Sequence, residues 1–68
     1  MNLLDKTRFM LPLVRSRQTA REIAEGAGVG FEWFKKFEAG DIKHPSVVRI
    51  QNLHDYLERA LTKQESAA

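Results

Sequence analysis

Between Thr19 and Gly40 the sequence leaves few folds open, because its small, glycine and apolar residues are spaced for two short crossing helices. Ile23, Ala24 and Ala27 fall on one helical face, and the small Ala24 lets a crossing helix approach closely. Gly28 stands where the chain must reverse, and glycine enters the left-handed region without steric cost. Val29 follows as an apolar pin for the turn. Phe34 and Phe37, at i and i+3, form the buried stripe of the second helix, and Gly40 closes it. The pattern predicts a helix-turn-helix.

The rest of the chain reads as further helix. Leu3 to Arg15 predicts a first helix, with Leu4, Leu11 and Val14 on one side and Phe9 and Met10 adding bulk. Pro12 lacks an amide donor and crowds the carbonyl of Arg8, which predicts a kink or a break. The second helix spans Ala20 to Ala27 behind the capping box Thr19-Ala20-Arg21-Glu22. The third spans Phe31 to Ala39. Ser46, after Pro45, is a candidate N-cap for a fourth helix from Val47 to Leu61. Val47, Ile50, Leu53, Leu57 and Leu61 supply its stripe, Tyr56 and Ala60 widen it, and Val48 projects off it. The expected fold is all-α: a compact bundle of four or five short helices. Residues 1–61 make the domain, and 62–68 are expected to be a frayed tail.

At these residues the chain resembles the Cro/repressor-type, lambda-repressor-like helix-turn-helix family of bacterial and phage DNA-binding proteins. The matching pattern is Glu22-Ile23-Ala24, Ala27-Gly28-Val29, Phe34 and Phe37-Glu38-Ala39-Gly40, continuing through Pro45-Ser46 into the last amphipathic helix. It covers residues 17 to 61. Three positions depart from it. Ala20 stands where the family often has Gln, Gly30 where Ser or Thr often caps the recognition helix, and Gly26 is a helix-interior glycine costing about 1 kcal/mol relative to alanine. These bear on phosphate clamping rather than on the fold.

The resemblance implies a sequence-specific duplex DNA-binding transcriptional regulator, a Cro-like repressor of a phage, prophage or mobile element. Other readings are an antitoxin of a toxin–antitoxin pair, a restriction-system controller, or a protein-interaction module that has lost DNA binding. At 100° per residue, Phe31, Trp33, Phe34 and Phe37 share one arc of the third helix, and Glu32, Lys35, Lys36 and Ala39 the opposite one. A helix with that polar face fits a major groove about 12 Å wide. The base-reading candidates are Lys35 and Lys36 toward guanine, Glu32 toward cytosine N4, and Phe31 toward a thymine methyl. Glu32 has a plainer alternative, an i, i+4 pair with Lys36. Trp33 reads as core.

Phosphate candidates flank the motif where helix ends favour anions: Arg17, Gln18, Thr19 and Arg21 before the second helix, and Lys43, His44, Ser46 and Arg49 around the fourth. Net charge is only +2, so the distribution of charge carries the argument; Glu22, Glu25, Glu38 and Asp41 dilute it along the sequence. The width of the last stripe nominates Tyr56, Ala60 and Leu61 for a homodimer contact, and the resemblance implies a palindromic operator.

Composition bounds the alternatives. Sixty-eight residues make one small domain, and a core of that size rarely supplies more than about 3–5 kcal/mol. There is no cysteine, which excludes disulfides and thiolate chemistry and fits a reducing cytoplasm. His44 and His54 have no ligand cluster around them, so neither a metal nor a cofactor is expected. No apolar run approaches the ~20 residues of a membrane span, and Asp5, Lys6 and Arg8 interrupt the N-terminal apolar stretch, against a secretory signal. Nucleophile and paired-carboxylate constellations are lacking, so no enzyme is expected. The expected setting is cytoplasmic, on the nucleoid when bound, with no small-molecule effector.

Overall fold

The computed structural model describes residues 2–42 and 44–67, with side chains to Lys63. It is an all-α bundle of four helices: α1 (Leu3–Arg15), α2 (Ala20–Ala27), α3 (Phe31–Ala39) and α4 (Val47–Ala67).

Local chemistry sets the helix ends. Asn2 caps α1, its side-chain oxygen accepting from the Asp5 amide at 2.8 Å. The helix runs unbroken through Pro12, which removes the break from the expected kink or break. Both Pro12 and Arg8, whose carbonyl loses its donor, are exposed, so water can replace the missing bond. Both halves of the α2 capping box form: the Glu22 amide donates to Thr19 Oγ1 at 3.1 Å, and the Thr19 amide donates to Glu22 Oε1 at 3.0 Å. Gly28 is left-handed (φ +73°), with its amide bonded to Glu25 O and that of Val29 to Ala24 O. Gly40 (φ +82°) ends α3 by the same pair of bonds, its amide to Phe37 O and that of Asp41 to Lys36 O.

Helix α4 is the spine. It lies against α1 and α2, and α3 folds back on α2 across the Gly28 turn. The core draws Leu11 and Val14 from α1, Ile23, Ala24 and Ala27 from α2, Val29 from the turn, Phe34 and Phe37 from α3, and Ile50, Leu53 and Leu57 from α4. Each fully buried large side chain contributes about 1.5–3 kcal/mol relative to exposure. Thr7 joins this core; its hydroxyl donates to Leu3 O at 2.7 Å, so the buried polar atom is satisfied within its own helix.

Three expectations need correction. Phe9 points outward and is 65% exposed, because it lies across the helix from Leu11 and Val14. Val47 is 75% exposed, so the buried stripe of α4 begins at Ile50. The helical backbone of α4 also continues past Leu61 to Ala67, since no glycine or proline stops it.

Candidate nucleic-acid interface

The polar side of α3 is open. Glu32, Lys35, Lys36 and Ala39 are all exposed, and the two lysines are adjacent at the middle of the helix. Among the described residues, no carboxylate lies within 4.0 Å of Lys35, Lys36, Arg17 or Arg21. The Glu32–Lys36 pair is therefore not made. The acids that dilute the basic charge in sequence are in part engaged elsewhere. Glu22 belongs to the capping box, and Glu38 pairs with Arg15 Nε at 2.7 Å. Arg15 also donates to Gln18 O at 3.3 Å, so the end of α1 is tied both to the connection before α2 and to α3.

The aromatic arc of α3 divides in two. Trp33 is half-buried and stacks on buried Phe37, with ring centroids 5.3 Å apart and planes 5° apart. Phe31 is half-buried in the first turn, with Arg21 Cζ 4.6 Å and Lys35 Nζ 5.4 Å from its centroid. The ring thus bridges a cation of α2 and a cation of α3. Gly30 precedes it as an N-cap without a side-chain bond, so the amides at the start of α3 keep no side-chain partner there.

Of the flanking candidates, Arg17, Thr19 and Arg21 are exposed before and within the first turn of α2. Thr19 spends its hydroxyl oxygen on the cap. Gln18 is half-buried and accepts a hydrogen bond from the Tyr56 hydroxyl, leaving its amide group to donate. His44 and Ser46 are exposed, and the guanidinium of Arg49 lies 5.7 Å from the Trp33 ring. Lys43 lies outside the described residues.

Tyr56, read in the sequence as a dimer contact, has a partner within the chain. Its ring rests on Gly26, where an added Cβ would sit 2.3 Å from Tyr56 Cε1. Ala60 and Leu61 are half-buried against the core. The large apolar side chains left open on α1 are Phe9 and Leu13, one turn apart. His54, only 13% exposed in its side chain, lies between Asp55 at 3.2 Å and Glu58 at 3.5 Å. Its hydrogen bond, followed by that of Gln51, holds the Asp55 carboxyl below the usual carboxylate range.

Two contacts of this surface escaped the sequence reading. Arg8 sits 5.2 Å from the Phe37 ring, and Arg15 makes the pair with Glu38. Both contacts cross from α1 to α3, and no local pattern signals them. Among the described residues there is no group of three His, Cys, Asp or Glu side chains placed to hold a metal ion, and no helix long and apolar enough to cross a membrane. Comparison of the chain with protein-family models, curated proteins and solved structures gives no significant match.

Proposed function

We propose that this protein is a sequence-specific duplex DNA-binding regulator in which α2, the Gly28 turn and α3 act as a helix-turn-helix. The observation that carries the reading is the set Arg21, Lys35 and Lys36, presented around the open side of α3 with no carboxylate of the described residues within 4.0 Å. Positive charge that the fold concentrates and leaves unpaired suits a polyanion.

In this reading α3 enters the major groove. Lys35 and Lys36 donate to guanine O6 and N7, and Glu32 accepts from cytosine N4. Phe31 borders that contact. Arg17, Gln18, Thr19 and Arg21 meet one stretch of backbone, while His44, Ser46 and Arg49 meet another. The protein acts in the cytoplasm by occupying an operator, as a Cro-like repressor of a phage, prophage or mobile element would. Its regulation then follows protein concentration. Two copies, joined through Ala60 and Leu61 in the C-terminal part of α4 with Tyr56 at the margin, would present two recognition helices to a palindrome.

Selection of bound sites from a random duplex library tests this directly. The expected result is an enriched motif of two inverted half-sites about 34 Å apart, bound in a salt-dependent way. Failure to enrich any motif, with binding equally weak to all duplexes, would refute sequence-specific recognition.

A further inference from the structure

Every cation–π contact among the described residues falls on a ring of α3: Arg8 on Phe37, Arg49 on Trp33, and both Arg21 and Lys35 on Phe31. Four of the six aromatic residues of the chain lie on α3, which places these contacts there. The rings do different work. Trp33 and Phe37 stack on each other and fasten α3 to the core. Phe31 instead takes one cation from each of two helices, at 4.6 Å and 5.4 Å.

That arrangement has a cost, since two like charges on one ring repel each other. Among the described residues no carboxylate within 4.0 Å offsets it. Glu22, next to Arg21 in sequence, bonds the Thr19 amide instead. The ring also spans the turn, so Arg21 and Lys35 cannot shift independently while both remain seated on it. Phosphate contacts place a protein on the duplex and base contacts read the sequence. A shared seat couples the two.

We infer that Phe31 is a positioning residue, whose ring holds Arg21 toward a backbone phosphate and Lys35 toward the groove, so that backbone register and base reading are set together. This rests on the DNA-binding reading of α3. It differs from direct reading of a thymine methyl, in which the ring itself would touch the base.

The test compares wild type, Phe31→Leu, Phe31→Tyr, Arg21→Ala and the Phe31→Leu/Arg21→Ala double variant. Each is titrated with the selected duplex and with an unrelated duplex over a range of KCl, and its melting temperature is recorded. Phe31→Leu keeps apolar volume but removes the π face. It is expected to weaken selected-site binding about three- to tenfold and to narrow the ratio of selected to unrelated binding. Phe31→Tyr retains both. The double variant loses less than the product of the single losses, because part of the Phe31 effect passes through Arg21. Replacing thymine by uracil in the selected site leaves wild-type affinity unchanged. In the DNA-free protein, the Arg21 side-chain protons carry an upfield ring-current shift that Phe31→Leu removes.

Fully multiplicative losses would overturn the inference, as would a uracil penalty present in wild type and absent in Phe31→Leu. If wild type binds duplex but the Arg21 protons show no ring-current shift, the seat is wrong and the DNA-binding reading stands. If the shift is present but wild type binds no duplex, the DNA-binding reading falls, and the role assigned to the seat falls with it.

Discussion

Gly26 shows how a residue that looks unfavourable locally is explained by a distant one. In sequence it is only a helix-interior glycine, disfavoured by about 1 kcal/mol against alanine. In the structure a methyl group there would meet the Tyr56 ring, 30 positions along the chain, at 2.3 Å. Gly26→Ala is therefore expected to lower stability by about 1 kcal/mol or more in denaturant unfolding, with overpacking outweighing the gain in helix propensity. In a Tyr56→Ala background the same substitution should become stabilising, because only the propensity term survives. The same sign in both backgrounds would show that the ring does not rest on Gly26. Gly28 presents the opposite case. A Cβ there meets nothing within 4 Å, but φ is +73°. Gly28→Val should cost about 1–3 kcal/mol through backbone strain alone, and Gly28→Asn clearly less, since Asn tolerates the left-handed region. Equal melting temperatures for the two variants would contradict that account.

At the scale of elements, what could be read from sequence was what local chemistry decides. The ends of α2 follow from Thr19, Glu22 and Gly28, and the end of α3 from Gly40, because caps act within one turn. The Asn2 cap of α1 is equally local, its side chain accepting from the amide of Asp5 three residues on. The far end of α4 carried no stop signal, and its polar, small residues suit an exposed helix as well as a tail. Contacts between elements left no such trace, which is why Arg8 on Phe37, Arg15 with Glu38, and Tyr56 with Gln18 emerge only from the fold. Of the candidate interface, the exposure of Glu32, Lys35 and Lys36 followed from helical periodicity, whereas the pairing of Arg21 and Lys35 on Phe31 needed the turn geometry. Helix α4 also has a pH signature. Hydrogen bonds from His54 and Gln51 hold Asp55 below its ordinary range. A carboxyl whose folded-state value is depressed stabilises the protein above its unfolded value and loses that contribution as pH falls through the folded one. Thermal melts should accordingly show Asp55→Asn with a shallower fall in stability below about pH 4 than wild type. Parallel acid profiles would remove Asp55 from the account.

For the whole molecule, assembly turns on the C-terminal part of α4. Tyr56 is held within the chain by Gly26 and Gln18, so Ala60 and Leu61 are the half-buried residues on which a dimer contact there depends. If two copies join in this way, Leu61→Glu should leave the recognition face intact and reduce the footprint on a palindromic site from two half-sites to one. Solution mass at rising concentration should show the same variant as monomer throughout. A wild-type footprint confined to one half-site would mean that the wide stripe of α4 serves only its own core. Phe9 and Leu13, exposed on α1, would then be the next apolar surface to examine by substitution.

The central claim is that the open face of α3 binds duplex DNA through charges the fold leaves unpaired. Its most direct test is the affinity of Lys35→Ala/Lys36→Ala for the selected duplex as a function of salt, set beside its melting temperature. Both side chains are exposed and make no ion pair among the described residues, so the fold should keep the stability of wild type. Binding should weaken, by about 1–3 kcal/mol for a lysine that reads a base, with relaxed preference at that position. A lysine that meets only phosphate should instead reduce the slope of log affinity against log salt by about one unit. Wild-type affinity and salt slope in the double variant, with the fold intact, would contradict the assignment of α3 as the DNA-reading helix.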